Sequence, residues 1–324
     1  MATRFVVYGA GAVGGVVGAR LSEHGHDVVL IARGAHHDAI RDGGLRVDSP
    51  DGTVTVAVPV VDHPARLTLG SDDVVLLAMK GQDTAGALHD LALVAPPDTP
   101  VVCLQNGVVN ERRALRLFPD VYGVCVMCPT GFLEPGVVQA WSTPMTGSLD
   151  VGRYPTGTDD VSALVAAAFE ASTFRSVDRP DVMRWKYGKL LMNLVNAAEA
   201  AFGPTARQGD LAARVRAEGE ACLAAAGIEV PSADEERAHR RGVVQVGKIE
   251  GRDRDGGSSW QSLARGTGSV EADDLNGEIV LLGRLHGVPT PLNEALQRLA
   301  RRMAAEGAPP GSADPSVLDG VAAP

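Results

Sequence analysis

The sequence predicts an α/β fold: a doubly wound parallel sheet in the N-terminal half, followed by an all-helical C-terminal domain. Three observations carry that expectation. Short apolar runs alternate with helical patterns along the N-terminal third, as parallel strands buried on both faces alternate with their crossover helices. Gly9, Gly11 and Gly14 follow the first apolar run and open the first helical pattern. From about residue 181 the strand signals cease and long helical patterns take over.

Taken in order, Phe5-Val6-Val7-Tyr8 is a short apolar run ending at glycine, as a buried strand does. Ala12, Val13, Val16, Val17, Ala19 and Leu21 then mark a helix over 12–24. Val28-Val29-Leu30-Ile31 is the second strand. Val54, Val56 and Val58 recur at period two, and with the Asp51-Gly52 turn they predict a strand pair over 45–61. Asp73 to Ala78 is a further buried strand ending at Met79-Lys80, and Pro100 to Leu104 is another, ending at Gln105-Asn106-Gly107. Helical patterns cover 181–202, 207–227, 232–249, 269–286 and 291–306, with a glycine-rich break from Gly251 to Gly257. Gly287 follows His286 where a left-handed helix terminus is expected. These patterns predict a sheet domain over 1–178, a helical domain over 179–306, and a mobile Pro/Gly/Ala/Ser-rich tail over 307–324.

Composition narrows the function. A chain of 324 residues with 45% hydrophobic and 22% charged residues is of globular type. Its net charge of −10 argues against nucleic-acid binding, because nothing would neutralise phosphates over a wide face. No apolar run approaches the roughly 20 residues that span a bilayer. Met1 to Arg4 lead straight into the first strand without a signal peptide, so a cytoplasmic location is expected. Cys125 and Cys128 form a single C-x-x-C inside an apolar run and are read as buried thiols. The histidines lack metal-ligand spacing, His36-His37 is read as loop, and no metal is expected.

The turn Gly9-Ala10-Gly11-Ala12-Val13-Gly14 has the G-x-G-x-x-G spacing between strand and helix that binds a dinucleotide pyrophosphate in Rossmann-type domains. The first glycine permits the tight turn and the second lets the pyrophosphate approach the backbone. The third permits close helix–strand packing, and the helix N-terminus offers unpaired N–H groups. The second strand ends Leu30-Ile31-Ala32-Arg33, with no acid to bind a ribose 2′-hydroxyl. A guanidinium suits a 2′-phosphate, so Arg33, with Lys80 as a second cation, predicts NADP(H).

Further along, Lys186, Lys189, Asn193 and Asn196 fall within one stripe of a helical wheel, opposite Leu190, Leu191, Leu194 and Val195. Asparagine is a poor interior helix former, by roughly 0.6 kcal/mol relative to alanine, so two of them aligned with lysine indicate a polar pocket wall. Ser258-Ser259-Trp260 and Glu271 through Asn276-Gly277 form a second polar group. Glu271, read as lying in a helix's first turn, also suits the helix dipole without any further role.

Together these motifs resemble the ketopantoate reductase (2-dehydropantoate 2-reductase) family over nearly the whole chain. The resemblance rests on the glycine turn, Arg33, Lys80, Gln105-Asn106-Gly107, Lys189 with Asn193, Ser258-Ser259, Glu271 with Asn276-Gly277, and His286 through Pro291. It implies NADPH-dependent reduction of a 2-oxo acid, with 2-dehydropantoate the leading substrate, in a cleft between domains. Lys189 is then the general acid and Glu271 orients substrate or lysine. Asn193, Asn196 and Ser259 hold the substrate, and Asn106 lies near the nicotinamide. A homodimer is compatible with this reading. The chain departs from the family in three respects: Asn193 and Asn196 are three apart rather than four, Trp260-Gln261 replaces an acid after the serine pair, and Lys186 is an alternative proton donor. Two other readings keep the glycine turn: a related hydroxyacid dehydrogenase, and a non-catalytic NADP(H)-binding regulator that needs neither Lys189 nor Glu271.

Overall fold

The N-terminal part lays down strands β1 (Arg4–Tyr8), β2 (Asp27–Ile31), β3 (Leu45–Ser49), β4 (Gly52–Val56), β5 (Val60–Val61), β6 (Asp73–Leu77) and β7 (Val101–Cys103). Helices α1 (Ala12–Glu23), α2 (Gly34–Gly43) and α3 (Gly81–Ala92) run between them. Next come α4 (Asn110–Ala114), β8 (Val121–Met127), β9 (Thr130–Glu134), β10 (Val137–Ala140), β11 (Ser142–Pro144), β12 (Gly147–Arg153), α5 (Asp160–Glu170) and β13 (Phe174–Arg175). The rest adds α6 (Val182–Asn193), α7 (Asn196–Phe202), α8 (Asp210–Ala225), α9 (Ala233–Arg240), β14 (Val244–Val246), α10 (Ser258–Ala264), α11 (Asn276–His286) and α12 (Pro291–Glu306). The computed structural model describes residues 3–266 and 268–321.

The main sheet has the order β13-β12-β8-β7-β6-β1-β2-β5. β5, β2, β1, β6, β7 and β8 run parallel, and β12 is antiparallel to β8. Alternate residues of a strand face opposite sides, and here both sides are packed: Phe5 and Val7 enter one apolar cluster, Val6 and Tyr8 another. That double burial explains why these strands read as continuous apolar runs. The chain proceeds from β1 to β2 in one direction and returns on the other side of β1 through β6. The carboxyl ends of β1 and β6 therefore form the topological switch point at which such sheets bind ligands. A second sheet, β4-β3-β10-β9, lies against α1, with Val138 beside Gly15. The expected strand pair over 45–61 is its β3–β4 hairpin, with Leu45 opposite Val56.

By packing, the chain divides into two units: 1–106, 110–186 and 232–254 in one, and 107–109, 187–231 and 255–324 in the other. The first division in the C-terminal half passes through α6, after Lys186. The helix expected over 232–249 is corrected: α9 ends at Arg240, and β14 pairs antiparallel with β11 of the sheet unit. β-branched Val243, Val244 and Val246 suit that edge pairing better than a helix. His239 anchors the segment, accepting at Nδ1 from Arg175 at 2.8 Å and lying 3.3 Å from Asp150 by Nε2.

In the second unit the pattern expected as one helix over 181–202 is interrupted at Leu194–Val195. The Asn276 side-chain amide donates to the Leu194 carbonyl at 2.9 Å, and a side chain inserted at a helix carbonyl is a recognised cause of such breaks. α8 approaches closely through Gly219, where a Cβ would come within 2.7 Å of Leu191 and Leu194. Buried Glu218 on α8 accepts the Leu292 and Asn293 backbone N–H groups, each at 2.9 Å, capping α12 behind Pro291. Gly287 takes φ +70°, the left-handed terminus expected there. In the C-terminal tail, Gly311 and Ala313 donate backbone hydrogen bonds to Ala200 and Ala201 of α7, so this part is tied to a buried helix. Residues 322–324 of the tail lie outside the described residues.

Candidate active site

The glycine turn connects β1 to α1 at the switch point. Gly9 has φ +101°, and a Cβ there would lie 2.5 Å from the Met79 nitrogen, so the first glycine is required by both conformation and space. A Cβ on Gly14 would lie 2.2 Å from the Gly9 carbonyl oxygen and 2.7 Å from the Ala78 Cβ, which is the close helix–strand approach assigned to the third glycine. Gly11 differs. A Cβ on it would meet no atom within 4 Å, so the protein itself does not need glycine there. It is the N-cap of α1, has no side-chain cap bond, and is followed by a first turn without acids. An open glycine beside uncapped helix N–H groups is the cradle a pyrophosphate requires.

The cations expected around this turn lie at its edges. Arg33 is the N-cap of α2, immediately beyond β2, and its side chain is 75% exposed. Its Nη2 is 3.7 Å from the Asp83 carboxylate in the first turn of α3, whose N-cap is Lys80. Arg33 and Lys80 thus border the same end of the sheet. After β7, Gln105 donates to the Met79 carbonyl at 2.6 Å and to Thr84 at 2.8 Å, which fixes the segment leading to Asn106. His36, expected in a loop, is buried in α2 and bonded to the Ala10 carbonyl at 2.7 Å. No spacing in the sequence signals that contact.

The lysine helix α6 is not amphipathic in the sense of one wet face. Lys186, Asn193 and Asn196 are as buried as Leu190, Leu191 and Leu194. Lys186 uses its ammonium within the protein: it donates to the Gln105 carbonyl at 2.8 Å and the Val124 carbonyl at 3.0 Å, and pairs with Glu111 at 2.8 Å. Lys189, one turn on, donates to Asn193 Oδ1 at 3.0 Å and is only partly buried. Asn196 belongs to another group. Its Oδ1 accepts from Arg207 at 3.0 Å, the same guanidinium nitrogen reaches buried Glu199 at 2.6 Å, and Glu199 accepts the Gly257 N–H at 3.1 Å. Gly257 is the N-cap of α10, which carries Ser258 and Ser259. Arg207 and Glu199 are not legible in the sequence, since arginine in a short polar turn and glutamate in an alanine-rich helix carry no distinctive signal.

Glu271 is buried in a one-turn 3₁₀ segment over 271–273 that precedes α11, not in the helix itself as expected. Burial lowers the Arg265 guanidinium from its usual value, and the nearby Glu271 opposes that shift. Of the two C-x-x-C thiols, both free, Cys125 is buried as expected and Cys128 is half-buried; burial pushes the Cys128 thiol up to about 12, away from the thiolate form. Among the described residues no helix is long and apolar enough to cross a membrane, and no His/Cys/Asp/Glu group is arranged for a metal.

A dinucleotide-type turn on a parallel sheet, in one chain with a helical unit carrying a partly buried lysine, defines a Rossmann-type oxidoreductase. Comparison with known proteins makes the class specific. The family model described as ketopantoate reductase PanE/ApbA matches residues 5–155, and the model for its C terminal part matches residues 181–304. The 2-dehydropantoate 2-reductase of Halobacterium salinarum is 30% identical over 307 residues, spanning 92% of this chain and 98% of that protein. The crystal structure of a PanE/ApbA family ketopantoate reductase from Ralstonia eutropha JMP134 is 28% identical, with a TM-score of 0.78 over 94% of this chain and 99% of that one. D-mandelate dehydrogenase, in a ternary structure with NADH and anilino(oxo)acetate, shares the fold at a TM-score of 0.80 and 22% identity, over 94% of this chain and 99% of that one. The chain belongs to the ketopantoate reductase family.

Proposed function

We propose that this protein reduces a 2-oxo acid to the 2-hydroxy acid using NADPH, with 2-dehydropantoate, converted to pantoate, as the leading substrate. The observation that carries the proposal is the division of labour between the two lysines of α6. Lys186 is fully engaged by Glu111 and two backbone carbonyls. Lys189 is held by Asn193 and partly exposed, so it is the lysine with a proton to give.

NADPH, when bound, supplies the hydride. The glycine turn Gly9 to Gly14 holds the pyrophosphate, and Arg33 with Lys80 reads the 2′-phosphate. Asn106 would lie toward the nicotinamide. The Lys189 ammonium donates a proton to the substrate's carbonyl oxygen as that oxygen becomes an alcohol, and its charge stabilises the developing alkoxide. Asn193 orients the ammonium through its Oδ1. Glu271 orients substrate or lysine, and Asn196 and Ser259 bind the substrate's carboxylate or hydroxyl groups.

A second reading keeps the reaction and changes the substrate. The Asn196 Oδ1 is already taken by Arg207, itself paired with Glu199, which favours a 2-oxo acid whose polar groups differ from those of ketopantoate. The test is NADPH oxidation against a panel of 2-oxo acids that includes 2-dehydropantoate. Preference for 2-dehydropantoate supports the first reading, and preference for another 2-oxo acid supports the second. No turnover on the whole panel overturns both in favour of a non-catalytic nucleotide binder.

A further inference from the structure

His36 contacts the phosphate turn directly and has no role in the reading above. It sits in the first turn of α2, the helix whose N-cap is Arg33. One ring nitrogen, Nδ1, lies 2.9 Å from the Gly136 backbone N–H. A backbone N–H can only donate, so Nδ1 accepts and the proton of the neutral ring resides on Nε2. Nε2–H then donates to the Ala10 carbonyl at 2.7 Å. Phe132 packs on the ring, with centroids 4.4 Å apart, and Gly136 is itself fixed by donation of Arg46 N–H to its carbonyl at 2.9 Å. The imidazole is thus positioned from both ends.

The consequence follows from peptide geometry. In a trans peptide the C=O and N–H point in opposite directions. Fixing the Ala10 carbonyl on His36 therefore fixes the Gly11 N–H on the opposite side of the same peptide plane. Gly11 is the uncapped N-cap of α1, next to the open space where no protein atom would meet a Cβ. We propose that His36, as its Nε2–H tautomer, is a positioning residue that aims the Gly11 N–H at the pyrophosphate of the bound dinucleotide. It acts through Ala10 and does not touch the cofactor. The proposal rests on the glycine turn binding a dinucleotide, and it applies to NADPH and NADH alike because both carry the pyrophosphate.

Two substitutions separate this role from simple packing. Glutamine keeps a donor near the Nε2 position and loses the Nδ1 acceptor, whereas asparagine keeps an acceptor near Nδ1 and loses the Nε2 donor. Dissociation constants for NADPH and NADH are measured by direct titration of wild type, His36→Gln and His36→Asn, alongside their thermal midpoints. His36→Gln is expected to bind both dinucleotides within about threefold of wild type, and His36→Asn about tenfold more weakly for both, the loss of roughly one positioned hydrogen bond. Equal losses in the two variants, or wild-type binding by His36→Asn, would overturn the inference, as would a loss confined to NADPH. Wild-type protein that binds neither dinucleotide would instead overturn the cofactor reading on which the inference rests.

Discussion

Lys186 Nζ lies 2.8 Å from Glu111 Oε1, and both side chains are almost completely withdrawn from solvent. The lysine's remaining donors go to carbonyls of Gln105 and Val124, so the pair joins the segment after β7 and the middle of β8 to α6. Removing one member of a buried ion pair leaves the other charge without compensation, typically at a cost of about 3–5 kcal/mol. Lys186→Met should therefore lower the urea unfolding midpoint markedly. The double variant Lys186→Met with Glu111→Leu should recover much of that loss. If the single variant keeps wild-type stability but loses turnover, Lys186 and not Lys189 is the proton donor.

For Lys189 the expected signature is kinetic. Lys189→Ala should cut kcat by about two orders of magnitude or more, the usual contribution of a positioned general acid. NADPH affinity, measured by titration, should change little. Turnover near the wild-type rate would remove Lys189 from the mechanism.

Arg33 has most of its side chain exposed and a loose contact with Asp83, which leaves its guanidinium within reach of a 2′-phosphate. Arg33→Asp should weaken NADPH binding by about 30-fold, the scale of one lost charge-assisted contact plus new repulsion. NADH binding should move by no more than about threefold. Equal losses for the two cofactors would show that the 2′-phosphate is read elsewhere.

In the helical unit, Glu218 is the strongest stability prediction. It caps α12 through two backbone N–H groups and accepts the Asn293 side-chain amide at 2.8 Å, while Asn293 accepts from the Asn276 amide that holds the α6–α7 break. Glu218→Ala should destabilise the protein by about 3 kcal/mol, since several buried donors lose their acceptor together. Glu218→Gln should retain part of that stability. Chemical denaturation of the two variants against wild type provides the comparison.

His36 and His239 give the pH dependence a definite sign. Burial is the main cause that lowers both imidazoles below 6.5. For His239, Arg175, Arg179 and Arg240 add to the lowering while Asp150 opposes it; for His36, the Ala10 carbonyl opposes it. As pH falls below about 6.5 the unfolded chain takes up protons that the folded rings resist. Their contribution to stability is full above that pH and is lost as pH drops through the folded values. The thermal midpoint should fall between about pH 7 and pH 5, and His239→Gln should flatten that slope. An unchanged slope would mean that folding does not shift the His239 imidazole.

The parallel sheet was legible because its strands are buried on both faces, so β1, β2, β6 and β7 appear as uninterrupted apolar runs. The glycine turn was legible because its G-x-G-x-x-G spacing between strand and helix is a local pattern, although part of the steric limit on Gly9 and Gly14 comes from distant Met79 and Ala78. The site in the helical part was less legible. A helical wheel through Lys186, Lys189, Asn193 and Asn196 assumes one continuous helix and one shared polar face. Neither holds, because Asn276 interrupts the helix at Leu194 and the surroundings of α6 bury most of its residues.

What the sequence determined by itself was the strand–turn–helix unit, the absence of an acid after β2, and the set of motifs shared with the ketopantoate reductase family. These are local properties, set by residue size, backbone freedom and charge over a few positions. Tertiary structure alone decided that 232–254 joins the sheet unit through β14, that Lys186 is consumed by Glu111, and that Asn196 is bound by Arg207. It also decided that His36 holds the Ala10 carbonyl. Each of these depends on which donors and acceptors distant segments bring together. A buried polar group bonds to whatever partner packing places within reach, and spacing along the chain does not encode that partner.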